Sequence, residues 1–286
     1  MKYSNVDQWK SRMRVLAKEK GIDVQQMQQR YVLEEFARKI GKSKYKDSIV
    51  FKGGFVVSAL LGIDERKTRD IDFTFSSTIY SIGQIEEVLK EIVSTEIDAF
   101  FDYEIVCISE EQLDDYYSGF SCMITAVREK TRLYLKVNVS NNTLIYPESI
   151  EMQLHSFIDD ETIDVMTYPI ENIIAEKYET TLDRGIFNSR MRDLFDIYYL
   201  FTNNHHLIDD TLLVKTIIAV SNDRNTYSNL LDVDEILKEL LESRIFRANF
   251  ESYKRNNYVY KEETLEDIFY VFRKINDLIQ LELESK

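Results

Sequence analysis

Apolar residues recur at helical spacing over 6–20 and 23–40, alternate at strand spacing over 70–75, and return to helical spacing through most of the chain beyond residue 168. Asp23 stands where an N-cap belongs, and Gly41 where the second helix should close, so the first 40 residues read as a helical cover. A short strand is expected over 48–51, a turn at Gly53 and Gly54, a helix over 55–61, and a half-buried strand over the alternating DIDFTF of 70–75. A helix near 84–94 follows, then strands near 103–108, 120–127, 132–140 and 162–167. Pro169 suits the first turn of a helix. Beyond it, helices are expected over 170–183, 189–203, 210–220, 232–243 and 262–283. Mixed elements followed by helices alone make an α+β pattern with a mixed or antiparallel sheet. The expected division is 1–168 and 169–286.

Composition removes several function classes. With 286 residues and 44% of them hydrophobic, the chain can bury a sizeable core. No apolar leader opens it, and its longest near-apolar run, 53–63, is too short to span a bilayer, so a cytoplasmic location without membrane association is expected. Cys107 and Cys122 have no Cys or His neighbour at metal-ligand spacing and read as reduced structural thiols. His155, His205 and His206 form no ligand array. The formal charge of −14 opposes indiscriminate binding to nucleic acid. One basic cluster, Arg38, Lys39, Lys42, Lys44 and Lys46, reads either as a solvated helix end or as an RNA contact.

The sharpest chemical signal is Lys52-Gly53-Gly54 with Ser58 downstream, followed by Arg69-Asp70-Ile71-Asp72. Glycines let a backbone approach phosphate, and the helix they open offers free N–H groups. Two residues apart in a strand, Asp70 and Asp72 project from one face, where both carboxylates can grip a hard cation. The pair Asp232 and Asp234 lacks a glycine turn and precedes a helical pattern, so it reads as capping and first-turn charge. Neither a G-x-x-x-x-G-K-[ST] loop nor a G-x-S-x-G elbow occurs.

Further on, Lys177, Thr180, Thr181 and Arg184 share one helix face, suited to a triphosphate or an RNA backbone. Asp193 and Asp196 share a face of the next helix. There a carboxylate can hold Lys177, orient a hydroxyl or approach a metal; the plainer alternative is a helix pair with an Arg192–Asp196 ion pair.

FKGGFVVSALLG followed by TRDIDF resembles the first signature of the nucleotidyltransferase superfamily. Ala175-Glu176-Lys177 with Arg184, then Arg192-Asp193-Leu194-Phe195-Asp196-Ile197-Tyr198, is similar to the later motifs of the AbiEii/AbiGii-type toxins of type IV toxin–antitoxin and abortive-infection systems. The two blocks span roughly residues 50–200.

The resemblance implies a nucleotidyltransferase-like mixed sheet with flanking helices, and then a helical domain. It implies a Mg2+ site at Asp70 and Asp72, and catalytic roles for Lys177 on phosphate charge and for Asp193 in orienting Lys177 or assisting the acceptor. Nucleotide contacts are implied for Lys52, Gly53, Gly54, Ser58, Arg69, Arg184 and Asp196. The implied substrates are a nucleoside triphosphate, with GTP indicated, and an RNA acceptor, with tRNA indicated. The implied partner is an antitoxin that opposes the toxin without a stable complex. Where many superfamily members carry a third carboxylate, this chain has Asn138, which can ligate a metal but cannot act as a base. Two alternatives stay open: a nucleotidyltransferase that modifies a protein or small molecule, and a non-catalytic GTP-binding module.

Overall fold

The computed structural model describes residues 3–61, 68, 70–76, 81–112, 118–257 and 262–284. The chain forms two compact units, one of Met1–Thr143 with Ser149–Tyr168, the other of Leu144–Glu148 with Pro169–Lys286.

The described helices of the first unit are α1 (Val6–Lys20), α2 (Val24–Lys42), α3 (Gly53–Leu61) and α4 (Ile82–Ser94). Its described strands are β1 (Ile49–Lys52), β2 (Asp70–Phe75), β3 (Asp102–Gln112), β4 (Ser118–Arg128), β5 (Thr131–Ser140), β6 (Ile150–His155) and β7 (Thr162–Thr167). They form one mixed sheet in the order β3-β4-β5-β2-β1-β7-β6. The β2–β5 and β1–β7 pairs are parallel, and the other four pairs are antiparallel. β2 therefore lies inside the sheet, flanked by β1 and β5. Its alternation holds: Ile71 and Phe73 are fully buried, while Asp70 and Asp72 on the opposite face are half-buried.

α2 departs from its expected role as an amphipathic cover. It starts as anticipated, with Asp23 accepting from the backbone N–H groups of Gln25 and Gln26 at 2.7 and 3.3 Å. It is then buried on nearly every side, charged residues included. Burying carboxylates is tolerable only with donors to meet them, and Glu35 has four: Phe100 N, Phe101 N and the hydroxyls of Tyr103 and Tyr31. Even so, burial pushes its pKa up against those bonds. Gly41 does not end the helix, which runs on through Lys42. A Cβ there would lie 2.6 Å from the carbonyl oxygen of Asp164 on β7, so close backbone approach explains the glycine.

Two elements were not anticipated. β6 is an edge strand whose Ile150, Met152 and Leu154 do alternate with polar residues. α9, in the second unit, begins directly after the preceding helix, separated only by Ser243, whose hydroxyl accepts from Phe246 N at 3.2 Å.

The second unit contains α5 (Ile170–Arg184), α6 (Met191–Asn203), α7 (Asp210–Asp223), α8 (Val233–Glu242), α9 (Arg244–Asn256) and α10 (Leu265–Glu284) among its described residues. α5 is its centre, buried along most of its length and packed against α6 and α7. Glu179 of α5 is buried with Arg224, whose Nη1 is 2.6 Å away, and it also accepts from Thr226 Oγ1 at 2.7 Å. Segment 144–148 is tied in by Tyr146 N, which donates to Asn172 Oδ1 at 2.7 Å. Asp232 occupies the N-cap position of α8 without a side-chain cap bond, and Asp234 sits in the first turn. No helix among the described residues is long and apolar enough to cross a membrane.

Candidate functional site

Register places the first cluster. In β2, Asp72 is the antiparallel partner of Lys52 on β1 and the parallel partner of Asn138 on β5, while Asp70 is the partner of Lys136. Side chains at paired positions share a sheet face. Lys52, Asp70, Asp72, Lys136 and Asn138 therefore stand on one face. Asn138 Nδ2 donates to Asp72 Oδ1 at 2.9 Å, whereas its own Oδ1 is buried and has no hydrogen-bond partner. Lys136 pairs with Glu111 at 3.7 Å, and the ammonium of Lys52 lies 5.5 Å from the centre of the Tyr168 ring.

The glycine turn meets this face. Gly53 has φ +65°, and a Cβ on it would sit 2.6 Å from Asp72 Oδ2. A side chain is thus excluded twice, by backbone conformation and by the carboxylate. From here α3 begins, with Gly53 and Gly54 in its first turn.

Ser58, expected at phosphate, is instead 1% exposed. Its hydroxyl donates to Phe55 O at 2.9 Å and accepts from Arg30 Nη1 at 2.7 Å. Arg30 also binds Glu34 at 2.6 Å and covers the Phe55 ring at 4.8 Å. The helical phase turns Ser58 inward, where it links α3 to Arg30 of α2. Arg69 lies outside the described residues.

The second cluster lies within the helical unit. Lys177 Nζ contacts Asp193 Oδ1 and, at 2.9 Å, Asp196 Oδ2, and Arg190 Nε approaches Asp193 Oδ2 at 2.6 Å. All three members of the central triad are buried, and Asp196 is only 1% exposed. Burial raises the pKa of Asp193, but Lys177 and Arg190 outweigh it and hold the carboxyl below the ordinary range. Asp196, expected to contact nucleotide, is instead enclosed against Lys177, because its position on α6 points into the α5–α6 packing. Thr181 donates to Lys177 O at 2.8 Å, and Thr180 accepts from Arg224 at 2.9 Å. The hydroxyls expected beside Lys177 are therefore spent on internal bonds. Arg184 is half-buried in the last turn of α5.

The basic cluster around Gly41 is largely neutralised in place. Arg38 binds Asp159 at 2.9 Å, Lys44 binds Glu91 at 3.1 Å, and Lys39 donates to the carbonyls of Val93 and Thr95. Sequence reading had missed Lys136 and Arg190. Both had a signal: Lys136 and Asn138 repeat the two-residue spacing of Asp70 and Asp72, and Arg190 lies three residues before Asp193.

Hard oxygen donors from two carboxylates and an amide suit a divalent cation such as magnesium or manganese better than a soft metal. Two features fit one: the buried amide oxygen without a partner, and the space beside Asp72 that a Cβ on residue 53 would fill. Among the described residues no three His, Cys, Asp or Glu side chains converge as a metal cluster.

A mixed sheet with a helix springing from a glycine turn beside an Asp-x-Asp strand defines a nucleotidyltransferase-like fold. The family model described as Nucleotidyl transferase AbiEii toxin, Type IV TA system, matches residues 36–270, and the chain belongs to that family. Membership implies a nucleotide substrate and an antitoxin partner. Among solved structures, that of a proposed nucleotidyltransferase from H. pylori has a TM-score of 0.50 at 15% identity, covering 92% of this chain and 98% of its own. JHP933 from Helicobacter pylori has a TM-score of 0.45 at 16% identity, covering 89% of this chain and 91% of its own. At 15% identity, the first of these likenesses is one of fold. No curated protein matches the chain.

Proposed function

We propose that the protein transfers a nucleotide from a nucleoside triphosphate, GTP by family resemblance, to a hydroxyl of an RNA acceptor, tRNA by the same resemblance. The observation that carries this reading is the pairing of Asp70 and Asp72 on one face of β2 with the glycine turn that opens α3 against Asp72. Asp70 and Asp72 would hold Mg2+. A bound divalent cation supplies Lewis acidity and neutralises triphosphate charge.

The chain's own residues orient the donor. The N–H groups at the start of α3 and the ammonium of Lys52 face the negative charge of the phosphates. An acceptor hydroxyl oxygen attacks the α-phosphorus, its bond to the bridging oxygen of the β-phosphate breaks, and pyrophosphate departs. The hydroxyl proton passes to solvent or to the departing phosphate, since Asn138 cannot take it.

For the helical unit, we propose that Asp193 and Asp196 fix Lys177, and that this ammonium contributes through its position. Lys177→Arg keeps the charge but changes its geometry.

Incorporation of each of four α-labelled nucleoside triphosphates, with Mg2+, into total bacterial RNA tests the proposal. Label should enter tRNA-sized species with the wild-type protein and be lost with Asp70→Ala. Label entering protein or a small molecule would replace the RNA acceptor. An Asp70→Ala variant that stays folded and fully toxic would overturn the catalytic reading.

A further inference from the structure

We infer that Asn138 restricts the Asp70–Asp72 site to a single divalent cation and holds Asp72 in position before the cation arrives. This rests on the cation-site reading above and concerns its stoichiometry and the origin of its order.

Three observations carry it. Asn138 is the direct parallel partner of Asp72, so the two side chains leave adjacent strands on the same face. Its Nδ2 donates to Asp72 Oδ1 at 2.9 Å, which fixes the carboxylate plane and occupies one acceptor site on that oxygen. Its Oδ1 is buried without a partner. An unmet buried acceptor destabilises the fold, and a cation or a donor on a bound substrate would remove that penalty.

Charge then sets the number of ions. Two cations held about 3.5–4 Å apart need bridging carboxylates. Asp70 and Asp72 bring two negative charges, enough to balance one divalent ion. A second would be uncompensated on a face that also carries Lys52 and Lys136. Among the described residues no third carboxylate completes the cluster. Asn138, the neighbour on β5 that reaches Asp72, is a neutral side chain.

The inference separates Asn138 from an aspartate in a way that does not depend on turnover. In Asn138→Asp, two carboxylates would face each other across a gap now closed by a hydrogen bond, and like charges so close oppose each other's ionisation. The cation-free variant should melt below the wild type at neutral pH, and added Mn2+ should raise its melting temperature more than it raises the wild type's. An extra charged ligand also strengthens binding.

Manganese titration of the nucleotide-free protein, followed by calorimetry and by the paramagnetic resonance of free Mn2+, provides the test, with wild type, Asn138→Asp and Asp70→Ala side by side. One Mn2+ per wild-type chain, with a second ion or about ten-fold tighter binding in Asn138→Asp, is the expected result. Two ions on the wild type, or an Asn138→Asp variant indistinguishable from it, would overturn the role of Asn138 and leave the cation site standing. Wild-type binding no stronger than that of Asp70→Ala would overturn both.

Discussion

Asp70 and Asp72 on β2, and Asp193 and Asp196 on α6, are each spaced to share one face of their element, yet they meet opposite surroundings. The helical pair is buried and shares one lysine, with Arg190 closing on Asp193 from the other side. The sheet pair is half-buried, and the neutral amide of Asn138 donates to Asp72. The first arrangement holds two helices together and, in the function proposed above, fixes Lys177. The second, in the function proposed above, takes a cation from outside. Similar spacing is thus compatible with either fate, and the difference lies in what the neighbouring elements bring.

The largest expected effect breaks the helical side of this contrast. Lys177→Ala leaves two buried carboxylates without their shared cation and should cost about 3–5 kcal/mol of stability. Asp70→Ala, on a half-exposed strand position, should change stability by no more than about 0.5 kcal/mol while removing activity. Urea unfolding of both variants checks this. Equal losses would mean that the two clusters are built alike.

A smaller effect sharpens the sheet side. Gly53→Ala forces a side chain into left-handed backbone, at about 1–2 kcal/mol, and drives a methyl group into Asp72. Gly21→Ala imposes similar backbone strain, since φ is +71° there, but meets nothing within 4 Å. Both should lose stability in thermal melts, Gly53→Ala the more, and only Gly53→Ala should lose nucleotide transfer. Retained transfer in Gly53→Ala would show that the clearance beside Asp72 has no catalytic use.

The smallest effect is a matter of acid. Because Asp193 is held below the ordinary carboxylate range, its ionised form is favoured by folding. The stability it contributes is complete above the unfolded value of about 4 and fades as pH falls through the depressed folded value. Melting temperatures followed from about pH 5 down to about pH 2 should decline less steeply for Asp193→Asn than for the wild type.

β2 and the glycine turn were legible because alternation and backbone chemistry are local signals. β6 carried the same alternation over six residues, but a short edge strand has only one neighbour to reward it. The burial of α2 was not legible. Glu34 accepts from Ser156 and Phe157, and Glu35 from Phe100 and Phe101, partners that lie 65 to 123 residues away in the chain. The surroundings of Ser58 were not legible for a related reason. A hydroxyl one turn beyond a glycine suggests phosphate, yet Arg30, 28 residues upstream, is what it meets. Asn138 was legible as a departure from a family pattern, while its bond to Asp72 required the parallel register of β2 and β5.

The five residues Leu144–Glu148 belong with the helices although the chain returns afterwards to make β6 and β7. The polypeptide therefore passes between the two units three times. A chimera joined at residue 168 would therefore depend on the second parent for Asn172, the side chain that holds the first parent's segment 144–148 through the backbone N–H at 146.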